Sequence, residues 1–218
     1  MIPLRALLAR RSFPSATILL IVLNVLCFVF QLSMPTWMQH RFELQYALVP
    51  DHLRLSSLVT SMFLHGGWLH LIGNMWFLWI YGSHVEDVIG PLKFLVFYLL
   101  SGIAAAAIHF AFNLGSPIPT IGASGAIAGV MGAFMILFPR ARIVTLIFIV
   151  FFVTTVDIPA AFLLLYWFAI QLISGLSSTG PMYVTQAQNT AWFAHIGGFL
   201  AGLVLLKLFE KRRPRYSY

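Results

Sequence analysis

Long apolar runs separated by short polar breaks dominate the chain, and their lengths set the first constraint. About 20 consecutive apolar residues carry a helix across a bilayer. By that rule the sequence predicts six membrane helices, at roughly 15–33, 67–84, 91–112, 123–138, 159–176 and 191–209. The first, SATILLIVLNVLCFVFQLS, is long for the apolar part of a cleaved signal, and no small-residue cleavage site follows it. A further apolar run, IVTLIFIVFFVTTV at 143–156, is only 14 residues long before Asp157 and Pro159. It reads as an interfacial or re-entrant segment sheltered by neighbouring helices. The longest connection, 34–66, carries Trp37, Phe42, Tyr46 and Phe63 and reads as a loop lying in the outer interface. The expected fold is an all-α membrane protein. A basic arm covers 1–14, a six-helix membrane domain covers 15–210 with a long interfacial loop between helices 1 and 2, and a basic tail covers 211–218.

Composition agrees with that pattern and charge orients it. Of 218 residues, 60% are hydrophobic and 9% charged, against roughly 25% charged in a soluble domain. With six spans and the N-terminus inside, the cytoplasmic side holds Arg5, Arg10, Arg11, Lys93, Arg140, Arg142, Lys207, Lys211, Arg212, Arg213 and Arg215. Only Arg41 and Arg54 fall outside, as the positive-inside rule requires. A seventh span at 143–156 would send the tail KRRPRYSY outward. Both termini are therefore expected in the cytoplasm, and the expected location is the cell (inner) membrane of a bacterium or archaeon. The net charge of +7 is an orientation signal with attraction to anionic lipid. The bilayer is thus an expected partner and nucleic acid is not. The one cysteine, Cys27, lies in an apolar run, which leaves no disulfide framework or cysteine metal site.

Polar groups inside a bilayer are costly, so each one is a functional suspect. Asn24 and Gln171 read as hydrogen-bonding glue between helices. His109 reads as interfacial, and Glu86 and Asp87 as members of a wet cytoplasmic turn. Three positions resist such readings. HLIGN puts His70 and Asn74 four apart on one helical face. AHIGGFLAG carries His195 beside Gly198 and Gly202, and TIGASGAIAGVMGAF holds Ser124 among glycine, alanine and aliphatic residues. Ser124, Ala128 and Gly132 form one small-residue stripe, and Gly198 and Gly202 form another. Each alone reads as a packing motif. Together they would bring the His195 ring to the Ser124 hydroxyl.

A serine becomes a nucleophile when an imidazole accepts its proton and returns it to the leaving group. No helix offers a carboxylate as a third member, so the unit expected is a Ser124/His195 dyad with the ring oriented by packing. The Ser124 amide at a helix start, the Asn74 side chain and the His70 ring are candidate donors to a developing oxyanion. The competing use of His65, His70, His109 and His195 as metal ligands lacks an HExxH or other ligand spacing and an accompanying carboxylate. Neither a metal nor a cofactor is expected.

At these residues the chain resembles the rhomboid intramembrane serine proteases. The matching pieces are FLHGGWLHLIGNMWFLWIYGSHVEDVIG, GASGAIAGVMGAF and AHIGGFLAG, in the family's order. The resemblance implies a six-helix bundle with a water-filled cavity open to the outer side. Ser124 matches the nucleophile, His195 the general base, and His70 and Asn74 the oxyanion-hole side chains, with the Ser124 amide completing the hole. It also implies that the loop 34–66 lies half in the outer leaflet and that Trp167 and Phe168 flank lateral entry of substrate. Two departures stand out. Ser56 and Ser57 occupy the positions where the family often has a Trp-Arg pair, and Ala128 stands where some members stack an aromatic residue on the catalytic ring. The expected activity is hydrolysis of peptide bonds in or beside transmembrane segments of other membrane proteins. The rival is a catalytically inactive rhomboid-like protein that binds membrane-protein clients. A transporter fits less well, because inverted-repeat symmetry and an ionisable pair are both lacking.

Overall fold

In a computed structural model, which describes residues 1–149, 152–177 and 191–209, the chain is mostly helical with one small sheet. Strand β1 (Ile2–Ala6) leads to helix α1 (Ser15–Ser33). The long connection then folds as α2 (Thr36–Tyr46), the single turn α3 (Ser57–Thr60) and short 3-10 turns. Helix α4 (Trp68–Phe77) runs through a wide π-type turn (Leu78–Gly82) into α5 (Ser83–Ile89). Helices α6 (Pro91–Phe112) and α7 (Ser124–Leu137) precede a hairpin of β2 (Arg142–Ile149) and β3 (Phe152–Pro159), and α8 (Ala160–Ser177) and α9 (Trp192–Phe209) follow it. Four helices, α1, α6, α8 and α9, are long and apolar enough to cross a membrane. This is a multi-pass membrane protein.

Helix α7 is the centre of the bundle. Every residue from Gly125 to Phe134 is buried, as an all-apolar helix requires when it is enclosed by others. A Cβ at Gly198 would fall on the Gly125 carbonyl, and one at Gly202 on the Gly129 carbonyl, so the α7 and α9 backbones touch. On the other side Gly125 and Gly129 meet Ala105 and Ser101 of α6. The seam on α7 therefore runs through Gly125 and Gly129, one residue round from Ser124 and Ala128, while Gly132, the third member of the stripe expected from sequence, does meet the α9 backbone at Phe199 O. That offset turns Ser124 out of the seam and leaves its hydroxyl free to meet a side chain. By contrast α1 buries only one stripe, through Leu20, Asn24 and Phe28, and leaves Leu19, Leu23, Leu26 and Phe30 exposed. Asn24 donates to Leu20 O of its own helix at 2.8 Å.

The sheet corrects the all-α expectation and shows that the described residues of the run 143–156 are built into strands. The order is β1-β2-β3 with both pairings antiparallel, and Arg142 lies opposite Pro159. A run rich in Val, Ile, Thr and Phe suits a pleated strand, and its length falls short of a helical span. Part of the arm 1–14 joins this sheet. β1 pairs with β2, and Trp76 Nε1 donates to Pro3 O at 2.7 Å. The basic tail 211–218, with Lys211, Arg212, Arg213 and Arg215, lies outside the described residues.

The helix after α4 does not end near residue 84; it continues to Ile89. Glu86, expected in a wet turn, is buried at 1% exposure. Its carboxylate accepts from Ala16 N at 2.9 Å, Thr17 N at 2.8 Å and Thr17 Oγ1 at 2.7 Å. It thereby satisfies orphan N–H groups at the start of α1, where the helix dipole favours negative charge. Asp87 accepts from the backbone N–H of Arg11 and Ser12 and from the Ser12 hydroxyl.

Candidate active site

The site forms where α7 begins. Residues 113–123 lead into Ser124 and are tied to the connection between α1 and α4. Leu48 and Thr120 exchange two backbone hydrogen bonds (3.0 and 2.8 Å), and Asp51 N donates to Ser116 O at 3.0 Å. Gly122 N donates to Ser61 O at 2.9 Å. In place of a Trp-Arg pair, this connection is held by Arg54 donating to Gln45 O, Thr60 Oγ1 to Tyr46 O and Ser57 Oγ to Arg54 O. Gly122 has φ +119°, a conformation suited to glycine. A Cβ there would lie 2.6 Å from His70 Nε2, so glycine lets the His70 ring approach the backbone two residues before Ser124.

The α7–α9 seam brings the two halves of the candidate dyad together: His195 Nε2 lies 2.8 Å from Ser124 Oγ. The other ring nitrogen, Nδ1, lies 2.7 Å from Oε1 of Gln171 on α8. Trp167 and Trp192 flank the ring at centroid distances of 5.7 and 6.4 Å. They and Gln171 surround the imidazole where the family resemblance suggests an aromatic at position 128; Ala128 itself is fully buried in α7.

A cavity of about 800 Å³ opens over these groups, lined among others by His70, Asn74, His109, Ser124, Trp167 and His195. His70 is exposed to it, whereas Asn74 is buried at its wall. Asn74 Nδ2 lies 3.0 Å from Nε2 of buried His65. An amide nitrogen only donates, so His65 Nε2 accepts and Asn74 keeps a second N–H for the cavity. As the first residue of α7, Ser124 contributes an N–H that the helix leaves without an intrahelical acceptor. His109, expected at the interface, is buried on the cavity wall, with Thr120 Oγ1 at 2.9 Å. Among the described residues no group of three or more His, Cys, Asp and Glu is placed to hold a metal ion. Gln171, expected as hydrogen-bonding glue between helices, does bond across from α8 to α9; what sequence reasoning missed is its partner, together with the place of His65. His65 orients Asn74, and Gln171 reaches His195; the usable signal was Trp167 and Gln171, four apart on one helical face.

A rhomboid domain model matches residues 52–212, most of the chain. The chain belongs to the rhomboid family. Among curated proteins it is similar to Rhomboid protein 1, mitochondrial, of Saccharomyces cerevisiae, 29% identical over 185 residues, covering 80% of this chain and 49% of that protein. Rhomboid protease GluP of Bacillus subtilis is 44% identical over 78 residues, covering 36% of this chain and 15% of that protein. RHOMBOID-like protein 6, mitochondrial, of Arabidopsis thaliana is 32% identical over 148 residues, covering 68% and 41%. This rhomboid chain spans about half the length, or less, of these relatives. The rhomboid match contains every residue of the candidate site, from His65 and His70 to His195.

Proposed function

We propose that this protein is an intramembrane serine endopeptidase that hydrolyses peptide bonds in or near transmembrane segments of other membrane proteins. The observation that carries the reading is the 2.8 Å approach of His195 Nε2 to Ser124 Oγ at the cavity, in a chain of the rhomboid family. Ser124 Oγ attacks the scissile carbonyl carbon as its proton passes to His195 Nε2. The carbonyl oxygen becomes an oxyanion, held by the Ser124 N–H, the free Asn74 N–H and the His70 ring. Collapse breaks the C–N bond, and His195 returns the proton to the departing amine. Water then attacks the acyl-Ser124 ester with His195 again as base, which releases the acid product and restores the hydroxyl.

Membrane placement belongs to the same proposal. The α4–α5 run and α7 join the four long helices as spans, giving a six-helix bundle with the α2-containing connection in the outer interface. The arm 1–14 and the tail 211–218 are cytoplasmic on either side of a membrane domain at 15–210, as the basic residues require. A bacterial or archaeal cell membrane is the proposed location. A helical substrate shields its carbonyls from attack, so segments that unwind easily at their outer end, with glycine, proline or polar residues, are favoured.

The test is covalent labelling. A fluorophosphonate should modify Ser124 in the purified protein, and labelling should vanish in both Ser124→Ala and His195→Ala. A folded sample that neither labels nor cuts any helix-destabilised transmembrane substrate would leave Ser124 a packing residue and favour client binding.

A further inference from the structure

The dyad expected from sequence leaves the imidazole to be oriented by packing alone, yet a side chain from a third helix meets its far nitrogen. Gln171 is buried on α8, at 5% exposure. Its Nε2 donates to Trp167 O, one turn back, at 3.3 Å, and its Oε1 lies 2.7 Å from His195 Nδ1. The first bond fixes which end of the amide faces which partner. A backbone carbonyl only accepts, so the nitrogen must face Trp167 and the oxygen must face His195. An amide oxygen also only accepts, so the imidazole proton sits on Nδ1. In the neutral ring the lone pair then lies on Nε2, which faces Ser124 Oγ at 2.8 Å.

From this chain of hydrogen bonds we propose that Gln171 is a positioning residue that sets the His195 tautomer and holds Nε2 on Ser124. The proposal rests on the reading of Ser124 and His195 as nucleophile and base. Gln171 touches neither substrate nor the reacting atoms; it acts through the ring. The opposite tautomer would carry its proton on Nε2, and a protonated nitrogen takes nothing from a hydroxyl. In soluble serine hydrolases a carboxylate does this work. Inside a bilayer a neutral amide supplies an acceptor of similar reach without burying a charge. Trp167, which anchors the amide nitrogen through its carbonyl, also lies against the imidazole with its indole at 5.7 Å. One turn of α8 therefore fixes the ring both at its edge and on its face.

The test compares Gln171→Leu, which keeps side-chain bulk and removes the acceptor, with Gln171→Glu, which keeps an acceptor oxygen. The purified full chain is assayed for cleavage of a transmembrane substrate containing a helix-destabilising segment, and its histidines are labelled with nitrogen-15 for NMR. Gln171→Leu should lower kcat about tenfold or more, since the base step it impairs is typically worth 10²- to 10⁴-fold. KM and the unfolding midpoint should change little. Gln171→Glu should recover most of kcat. The His195 spectrum should show a protonated Nδ1 in the parent and in Gln171→Glu, and lose that signature in Gln171→Leu. An unchanged kcat in Gln171→Leu, or a loss of kcat with the Nδ1–H signature intact, would overturn the proposal. Failure of Gln171→Glu to recover kcat while folded would do the same. The spectrum reads the tautomer even in a parent protein that cuts nothing, so failure of the protease reading and failure of the Gln171 assignment are separable.

Discussion

The two ends of the helix bundle use polar side chains in opposite ways. Where α5 meets the start of α1, Glu86 and Asp87 are engaged by backbone N–H groups and hydroxyls of residues 11–17, and Glu86 is buried. Where α7 begins, Ser124, Asn74 and His70 face about 800 Å³ of open space. There the Ser124 N–H stands at a helix start without an intrahelical acceptor, and the Asn74 amide, with two N–H groups, bonds His65 through its nitrogen. The difference teaches that the candidate reactive groups of this fold are set apart by hydrogen-bonding capacity turned toward a cavity, and that burial and charge mark structural groups as well. Among the described residues the most buried carboxylate holds a helix end, and the candidate chemistry falls to neutral groups.

The comparison breaks most visibly at Ser124. Ser124→Ala should abolish cleavage, a loss of about 10⁴-fold or more, while shifting stability by no more than about 1 kcal/mol. Cleavage and thermal unfolding measured on one preparation check it, and a large loss of stability would make Ser124 structural. Glu86→Ala should behave in reverse. It strands two N–H groups and a hydroxyl that now bond a carboxylate, and should cost about 3–5 kcal/mol of stability. Fluorophosphonate labelling per folded molecule should stay within about twofold; a proportionate fall in labelling would show that the two ends are not independent.

Asn74→Ala sharpens the contrast within the cavity. Removing one oxyanion donor should raise the barrier by about 2.7–4 kcal/mol, or 10²- to 10³-fold in kcat, with KM little changed. A parent rate in that variant would remove Asn74 from the oxyanion hole. Gly122→Ala should have the smallest effect. It forces φ +119° on a residue with a Cβ, at a cost of about 1–3 kcal/mol, and presses on the His70 ring. Rate and stability should fall together. If neither moves, the close approach of His70 to this backbone has no consequence.

Much of this arrangement was legible in the chain. The apolar runs at 15–33 and 91–112 coincide with α1 and α6, because length and uniform apolarity define such helices without help from neighbours. His70 and Asn74, four apart on α4, meet one cavity as the helical period predicts. Ser124 and His195 could be nominated together because glycines beside each allow close approach, and the two residues lie 2.8 Å apart. Other features were hidden. A run of 14 apolar residues has the same composition as a hairpin or a short helix, and only pairing between 142–149 and 152–159, with β1 added at the edge, distinguishes them.

By itself, then, the sequence determined a membrane protein, the helical runs within it and the short roster of groups able to do chemistry, since each follows from local composition and period. Tertiary structure decided how those groups are used. The α7–α9 seam runs on Gly125 and Gly129 rather than on Ser124, which frees the hydroxyl for His195. Glu86 becomes a buried cap because α5 lies against the start of α1. Gln171 reaches His195 because α8 packs beside α9. Such assignments depend on the rotation of one helix against another by about 100° per residue, and that rotation is set by which small residues let backbones touch.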